Sequence, residues 1–404
     1  VSPKIAIVAD DLTGSGDTAV QFVRAGWSTH LSIGDADEAL GNEADCAAEV
    51  LAVTTHSRAM SATDAAAAVR ANVARLREAG VTRLYKKVDS TLRGAFKAEV
   101  VAAREAWVDD AIAIVCPAFP ATGRTVKDGV LYVGDKRVTE TSAATDPVTP
   151  VTESHIPTLL GCAHVAQSAG DTAASLAERI AAAGEIVVVD AADDAELERL
   201  AHACGLLGQR ALPIGAGGLA TPLARVWAGA DQTTPVVVVV TSQHSAARAQ
   251  ATALAGAGAA CWLPTLEQLR DESAWQAWSE ARLAEAAQAE PNGTLMLLAP
   301  QGQAEGLDAD TVARRLGELA AAIVLKAGAC GVVATGGDGA REVLRALGAG
   351  GIDLADEVMG GVPLGTLTGG SAIGLPIVTK AGGFGTEDVL VRAARAIRER
   401  RFKR

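Results

Sequence analysis

Short runs of Val, Ile and Leu recur from end to end of this chain, each followed by an alanine-rich stretch of helical period. That alternation suits a mainly parallel sheet with helices on its faces, because strands buried on both sides read as continuous apolar runs and need crossover helices between them. The runs predict strands over Lys4–Ala9, Glu49–Thr54, Arg83–Val88, Ala111–Cys116, Ile186–Asp190, Val236–Val240, Leu295–Ala299, Val332–Thr335 and Ile377–Lys380. The fold class is therefore α/β. In "SATDAAAAVRANVARLREAG", Val69, Val73 and Leu76 share a helix face, Ser61 or Thr63 can cap its start, and Gly80 suits its end.

A chain of 404 residues exceeds what one core usually serves, so two domains are expected. The polar, proline-containing part of "WAGADQTTPVVVVV" places the break between Gly229 and Pro235, giving domains over residues 1–230 and 235–404, each a mainly parallel sheet flanked by helices. Within the first, Gly134-Asp135 in "GVLYVGDKRV" reads as the turn of a β-hairpin insertion. Aromatic residues make up only 3% of the chain against 49% hydrophobic, so Ala, Val, Leu and Ile must build the cores.

A net charge of −12 argues against a nucleic-acid or anionic-membrane surface, since both need a positive field. The six cysteines, Cys46, Cys116, Cys162, Cys204, Cys261 and Cys330, are scattered without a C-x-x-C pair and read as buried free thiols of a reducing compartment. Cys162 and His164 form too small a set to suggest a metal site. With neither a leader pattern nor an apolar run near 18 residues, a cytoplasmic protein is expected.

Ligands of open α/β sheets bind beyond the carboxyl ends of strands, so polar clusters placed there are the candidates. The first is "ADDLTGSGD", with Asp10, Asp11, Thr13, Ser15 and Asp17. One aspartate could face a ligand hydroxyl or a metal while the other braces the turn, and the stretch also reads as a plain βα turn with a capped helix. The second is His56, Ser57 and Arg58, whose arginine could clamp a carboxylate. The third, "KKVDSTLRG", crowds Lys87, Asp89, Ser90, Thr91, Arg93 and Gly94 into one loop, more than helix capping needs. The fourth, "CPAFPATGRTVKDG", would bring Arg124 to the same rim. Lys86, Lys87, Lys127 and Lys380 all fall in loop-like stretches.

The second half offers glycine rather than charge. Gly336 and Gly337 in "VVATGGDGAREVLRALG" would let backbone N–H groups approach a phosphate at a helix N-terminus, and "LPIVTKAGGFGTEDVL" repeats the design. Neither is a Walker A loop nor a dinucleotide fingerprint, which weakens a dehydrogenase reading. An acid-and-base-rich half followed by a glycine-rich half fits a phosphotransferase with its acceptor on one domain and ATP on the other.

Taken in order, the strings "ADDLTGSGD", "HSR", "KKVDSTLRG", "CPAFPATGRT", "VLYVG", "TGGD", "GVPLG" and "TKAGGFG" resemble the four-carbon acid sugar kinases, which act on 3-oxotetronate, threonate and erythronate. The resemblance spans nearly the whole chain and implies ATP-dependent phosphorylation of a hydroxyl, the terminal one, with Mg2+. It implies that Asp10, Asp11, Arg58, Lys87, Asp89 and Arg93 bind the acid. It implies that Ser242, Gly336, Gly337, Asp338, Gly339, Gly382 and Gly383 hold the nucleotide. On that reading Arg58 or Arg93 holds the carboxylate, and Asp11, or failing that Asp89, takes the proton. The chain departs from the family's pattern at Thr241, where glycine is usual, at His244 for serine, at Ala247 for threonine and at Gly339 for threonine. Those departures motivate an alternative, a non-catalytic sensor of sugar acid and nucleotide. The oligomeric state is open, a homo-oligomer being compatible.

Overall fold

The computed structural model describes residues 3–41, 47–230, 234–289, 293–302 and 307–400, so Cys46 and linker residues 231–233 lie outside the described residues. The chain divides into two compact units, Val1–Trp227 and Ala228–Arg404. All nine expected strands are present, with ends that differ from expectation by one residue at most.

The first unit holds β1 (Ile5–Ala9), β2 (Thr29–Leu31), β3 (Val50–Thr54), β4 (Arg83–Lys87), β5 (Ile112–Cys116), the short β6 (Arg124–Lys127), β7 (Val130–Val133) and β8 (Lys136–Arg137), then β9 (Ala163–Val165), β10 (Ile186–Val189) and β11 (Ala211–Gly215). Eight of these form one sheet in the order β2-β3-β1-β4-β11-β5-β10-β9, every pair parallel. The other three form an antiparallel sheet in which Gly134-Asp135 links β7 to β8. Helix Ala62–Glu78 follows the expected pattern: the Ser61 side chain caps it, Val69, Val73 and Leu76 are fully buried, and Gly80 follows in the left-handed region at φ 90°.

The second unit adds β12 (Val236–Val240), β13 (Ala260–Trp262), β14 (Thr294–Leu298), β15 (Gly331–Thr335), β16 (Gly351–Met359), β17 (Val362–Thr368) and β18 (Pro376–Lys380). Their order is β13-β14-β12-β15-β18-β17-β16, parallel except for β16 and β17, which run as an antiparallel hairpin at one edge. The valines of β12 are buried on both faces and join two apolar layers, one against each side of the sheet.

Several features differ from expectation. β11 carries Pro213 in a central position, which on sequence grounds argues against a strand. It is tolerated because β11 pairs with β4 only through Ile214 and Gly215, beyond the proline. Lys86, Lys87, Lys127 and Lys380 lie inside strands rather than loops, at the ends of β4, β6 and β18. Cys116 and Cys204 are buried as expected, but Cys261 is exposed on β13. No helix among the described residues is long and apolar enough to cross a membrane.

Candidate functional site

Parallel register brings three strands of the first unit to one level: Ala9 of β1 pairs with Thr54 of β3 on one side and Lys87 of β4 on the other. The chain leaves β1 toward β2 and β3 and returns to β4 on the opposite flank, so the border between β1 and β4 is a topological switch point, where loops diverge and leave a crevice. Asp10 and Asp11, Arg58, and the Asp89–Arg93 turn all emerge there.

Arg58 is the hub. Its Nε donates to Asp10 Oδ2 at 2.8 Å, and its terminal nitrogens donate to Asp11 Oδ2 and Oδ1 at 3.1 and 2.8 Å and face Asp89 Oδ2 at 3.4 Å. Burial works against its charge, but the bond to Asp10 and the fields of Asp10, Asp89 and Asp11 hold its pKa above the ordinary value. Arg93 donates to Asp89 through Nε and Nη2 at 3.1 and 2.8 Å and reaches Asp146 at 3.3 Å. Both guanidiniums are thus engaged by carboxylates of the protein itself.

The aspartates differ in what they have left to offer. Asp11 caps helix Leu12–Arg24 by accepting the Gly14 N–H at 3.1 Å, accepts the Thr13 hydroxyl at 2.5 Å, and accepts twice from Arg58. Four bonds fill a carboxylate's usual capacity. Asp89 accepts from the Thr91 N–H at 3.0 Å and the Thr91 hydroxyl as well as from Arg93. Burial would raise its pKa, but its bonds to Arg93 and Thr91 hold it well below the usual carboxylate range. Asp10 is 2% exposed, and its Oδ1 is buried without a hydrogen-bond partner among the described residues.

Lys87 completes the group. It is 5% exposed, and among the described residues its ammonium has neither a hydrogen bond nor an ion pair. Burial lowers its pKa, with the Asp10, Asp11 and Asp89 carboxylates opposing. Gly14 makes room for it, since a Cβ there would overlap the Lys87 ammonium and the Asp11 carboxylate. Buried polar groups are nearly always partnered, so an ammonium and a buried carboxylate oxygen that both lack partners make this cluster a candidate ligand site.

Arg124 does not join this group; it donates to the Thr122 carbonyl within its own turn. His164 bonds Asp190 at 2.9 Å, in a brace that also takes the Asp128 and Gly129 N–H groups. Two contributors were not read from the sequence. Asp146 comes from a stretch with no local signal. Glu99 is buried on the inward face of helix Phe96–Ala106 beside Phe96, Val100 and Ala103, and a carboxylate on an apolar face is a signal that could have been used.

The second unit repeats the layout. Val240 of β12 pairs with Leu298 and Thr335, and Thr335 with Lys380, so the loops after β12, β15 and β18 start at one level. They touch through glycines. Gly336, at φ 96°, precedes helix Gly337–Ala346, and a Cβ on it would lie 2.8 Å from Thr241 Oγ1. A Cβ on Gly382 would overlap Ser242 Oγ, and one on Gly383 would lie 3.1 Å from His244 Nε2. Gln250 donates to the carbonyls of Phe384, Gly385 and Thr386 at 3.0, 3.1 and 3.2 Å, tying the third loop to helix Ser245–Gly256. Lys380 is buried, donates to the Ala381 and Gly382 carbonyls at 2.7 and 3.2 Å, and has its pKa lowered by that burial. A cavity of about 800 Å³ is lined by Gly336, Gly337, Arg341 and Lys380 among others. Asp338 is exposed at the first turn and faces Arg341 at 3.6 Å.

The departures from the expected pattern have structural counterparts. A Cβ on Gly339 would overlap the Thr241 side chain, so threonine at 241 and glycine at 339 are two halves of one contact. His244 accepts the Ala246 N–H at 3.1 Å through Nδ1 and caps its helix, the task a serine would serve there.

Comparison with known proteins fits this two-part layout. Residues 5–223 match the model of a sugar-binding N-terminal domain, and residues 237–390 that of a nucleotide-binding C-terminal domain. A D-threonate kinase of Bordetella bronchiseptica is 71% identical over 401 residues, with 99% of each chain covered. A D-threonate kinase of Salmonella typhimurium is 33% identical over 423 residues, covering 98% of this chain and 99% of its own. A D-erythronate kinase of Heliobacterium modesticaldum is 29% identical, covering 95% of this chain and 94% of its own. A crystal structure of a Bordetella bronchiseptica protein, a domain-swapped dimer with bound citrate, is 71% identical, covers 99% of this chain and all of its own, and superposes with a TM-score of 0.96. By these matches over both halves, the chain belongs to the four-carbon acid sugar kinase family.

Proposed function

We propose that this protein is an ATP-dependent kinase of a four-carbon sugar acid, D-threonate, and phosphorylates its terminal hydroxyl. The observation that carries the reading is the pair of unpartnered groups at the β1–β4 border, the Lys87 ammonium and the buried Asp10 Oδ1. A hydroxy acid supplies what each lacks: a carboxylate for the ammonium and a hydroxyl for the carboxylate oxygen. The choice of D-threonate rests on the relative that is 71% identical.

In this reading Lys87 holds the substrate carboxylate, where a charge-assisted bond in a dry site is strong. In place of the clamp expected of them, Arg58 and Arg93 fix the Asp10, Asp11 and Asp89 carboxylates in position. Asp11 and Asp89, the aspartates expected to act as base, have their oxygens taken by Arg58, Arg93, Thr91 and the start of the helix. Asp10 has the free oxygen, so Asp10 accepts the proton of the attacking hydroxyl, with Arg58 on its other oxygen holding the carboxylate in line.

For the nucleotide, Gly337 offers a backbone N–H at a helix start, the Gly336 N–H being taken by the Lys380 carbonyl at 2.9 Å, next to the Lys380 ammonium and beside Ser242, Gly339, Gly382 and Gly383. A Mg2+ accompanying ATP takes most of its ligands from phosphate and water, and the exposed Asp338 carboxylate fits the one protein ligand such an ion commonly uses. Bound, the ion would offset charge on the transferring phosphoryl group. The paired change at Thr241 and Gly339 preserves the contact between two loops, which favours a working donor site over a degenerate sensor. The relative crystallised as a domain-swapped dimer supports a homo-oligomer here too.

ADP release from Mg·ATP, measured with D-threonate, D-erythronate and 3-oxotetronate in turn, tests the reading. Turnover is expected to be fastest with D-threonate. Tight acid binding with no ADP from any of the three would sink it in favour of a sensor.

A further inference from the structure

Behind these two unpartnered groups lies a wholly buried ion pair. Lys86 is 0% exposed and its Nζ lies 2.7 Å from Glu99 Oε2, Glu99 itself being 2% exposed. Neither faces the ligand crevice. Lys86 alternates to the opposite side of β4 from Lys87, and Glu99 sits in the interior face of helix Phe96–Ala106.

The pair's remaining bonds all run to backbone or hydroxyls that adjoin the site. Lys86 Nζ donates to the carbonyl of Lys87 at 2.9 Å. Ser57, the residue before Arg58, donates to Glu99 Oε1 at 2.7 Å. Thr55 Oγ1 lies 2.6 Å from Ser57 Oγ and 3.0 Å from the carbonyl of Ala9, the residue before Asp10. Between Thr55 and Ser57, His56 holds a left-handed backbone at φ 50°, a conformation that a non-glycine residue keeps only when its surroundings impose it. One carboxylate thus ties together the segments that carry Asp10, Arg58 and Lys87.

We infer that Glu99 and Lys86 are positioning residues for the acid site: they set the spacing of Lys87 and Asp10 through Ser57, Thr55 and the Lys87 carbonyl, without touching substrate. This rests on the proposed kinase reading. A pair kept only for stability would be dispensable in a defined way, since well-packed apolar residues of similar volume replace a buried ion pair at little or no loss of stability. Such a replacement would still remove the acceptor of Ser57 and the donor to Lys87.

The test is the double variant Lys86→Met/Glu99→Leu, with steady-state ADP release measured against both substrates. The expected result is a folded enzyme whose KM for D-threonate rises about 10-fold or more, as sub-ångström displacement of binding groups commands, while its KM for ATP is unchanged. Wild-type KM values for both substrates would overturn the inference and reduce the pair to packing. Should the double variant not fold, Ser57→Ala decides by the same criterion, because it cuts the tether and leaves both charges paired. Wild-type enzyme run alongside separates the two levels: no ADP from it refutes the kinase reading, whereas turnover with unaltered variants refutes this inference alone.

Discussion

Lys87 carries a positive charge into a site already crowded with aspartates, and no aspartate pairs with it directly. Its charge is then free for a ligand, and the cost of burying it shows as a lowered pKa. The sign of the pH dependence follows. Anion binding favours the protonated amine, so D-threonate affinity is expected to hold at neutral pH and to be lost as pH rises through a Lys87 pKa that lies below 10.5. In a profile of kcat/KM for D-threonate, the alkaline limb is therefore expected earlier than an ordinary lysine would give, and Lys87→Met should abolish that limb. Asp10→Asn is expected to lower kcat by about 10²–10⁴-fold, the usual worth of a general base, with KM for ATP intact. Asp11→Asn should act mainly on stability, through the broken Arg58 pair, since asparagine still accepts the Gly14 N–H and caps the helix. A larger kcat loss in Asp11→Asn than in Asp10→Asn would reverse the assignment. The residue types of this cluster were readable in the sequence, because six polar or special residues in one short loop exceed what capping uses. Their division of labour was not. Which carboxylate oxygen stays open depends on where two guanidiniums from other segments point, and no local pattern encodes that.

At the scale of elements, both sheets place three loops at one level beside a switch point, and the loops fit because glycines stand where neighbouring side chains already lie. The Thr241–Gly339 contact gives the sharpest test. Gly339→Thr alone is expected to force the two loops apart and raise KM for ATP, whereas Thr241→Gly in the same chain should restore it, since the bulk is then supplied once from the opposite side. Additive losses in the double variant would show that the two positions are independent. The strands themselves were legible wherever valine and isoleucine run unbroken, as in β12. β11 was not, because Pro213 disguises a central strand whose proline sits before its pairing with β4 begins. The edge hairpin β16–β17 also went unread, since β16 is exposed along most of its length and lacks an apolar face.

On the scale of the whole molecule, each unit carries its own core, its own sheet and its own candidate site: a cluster framed by charge in Val1–Trp227 and a glycine-lined one in Ala228–Arg404. The two halves were separable in the sequence by composition, charge after early strands and glycine after late ones. The unpartnered pair was hidden, because an unpartnered atom is a property of three-dimensional packing. Separation of the halves should be visible in function, a change in one site altering the handling of one substrate alone. The most direct measurement is steady-state ADP release by Lys87→Met with D-threonate and Mg·ATP varied independently. A KM for D-threonate raised by about 100-fold, the worth of one charge-assisted bond of roughly 3 kcal/mol, with the KM for ATP unchanged, is the expected result. A wild-type KM for D-threonate in that variant would contradict the placement of the acid at the β1–β4 border.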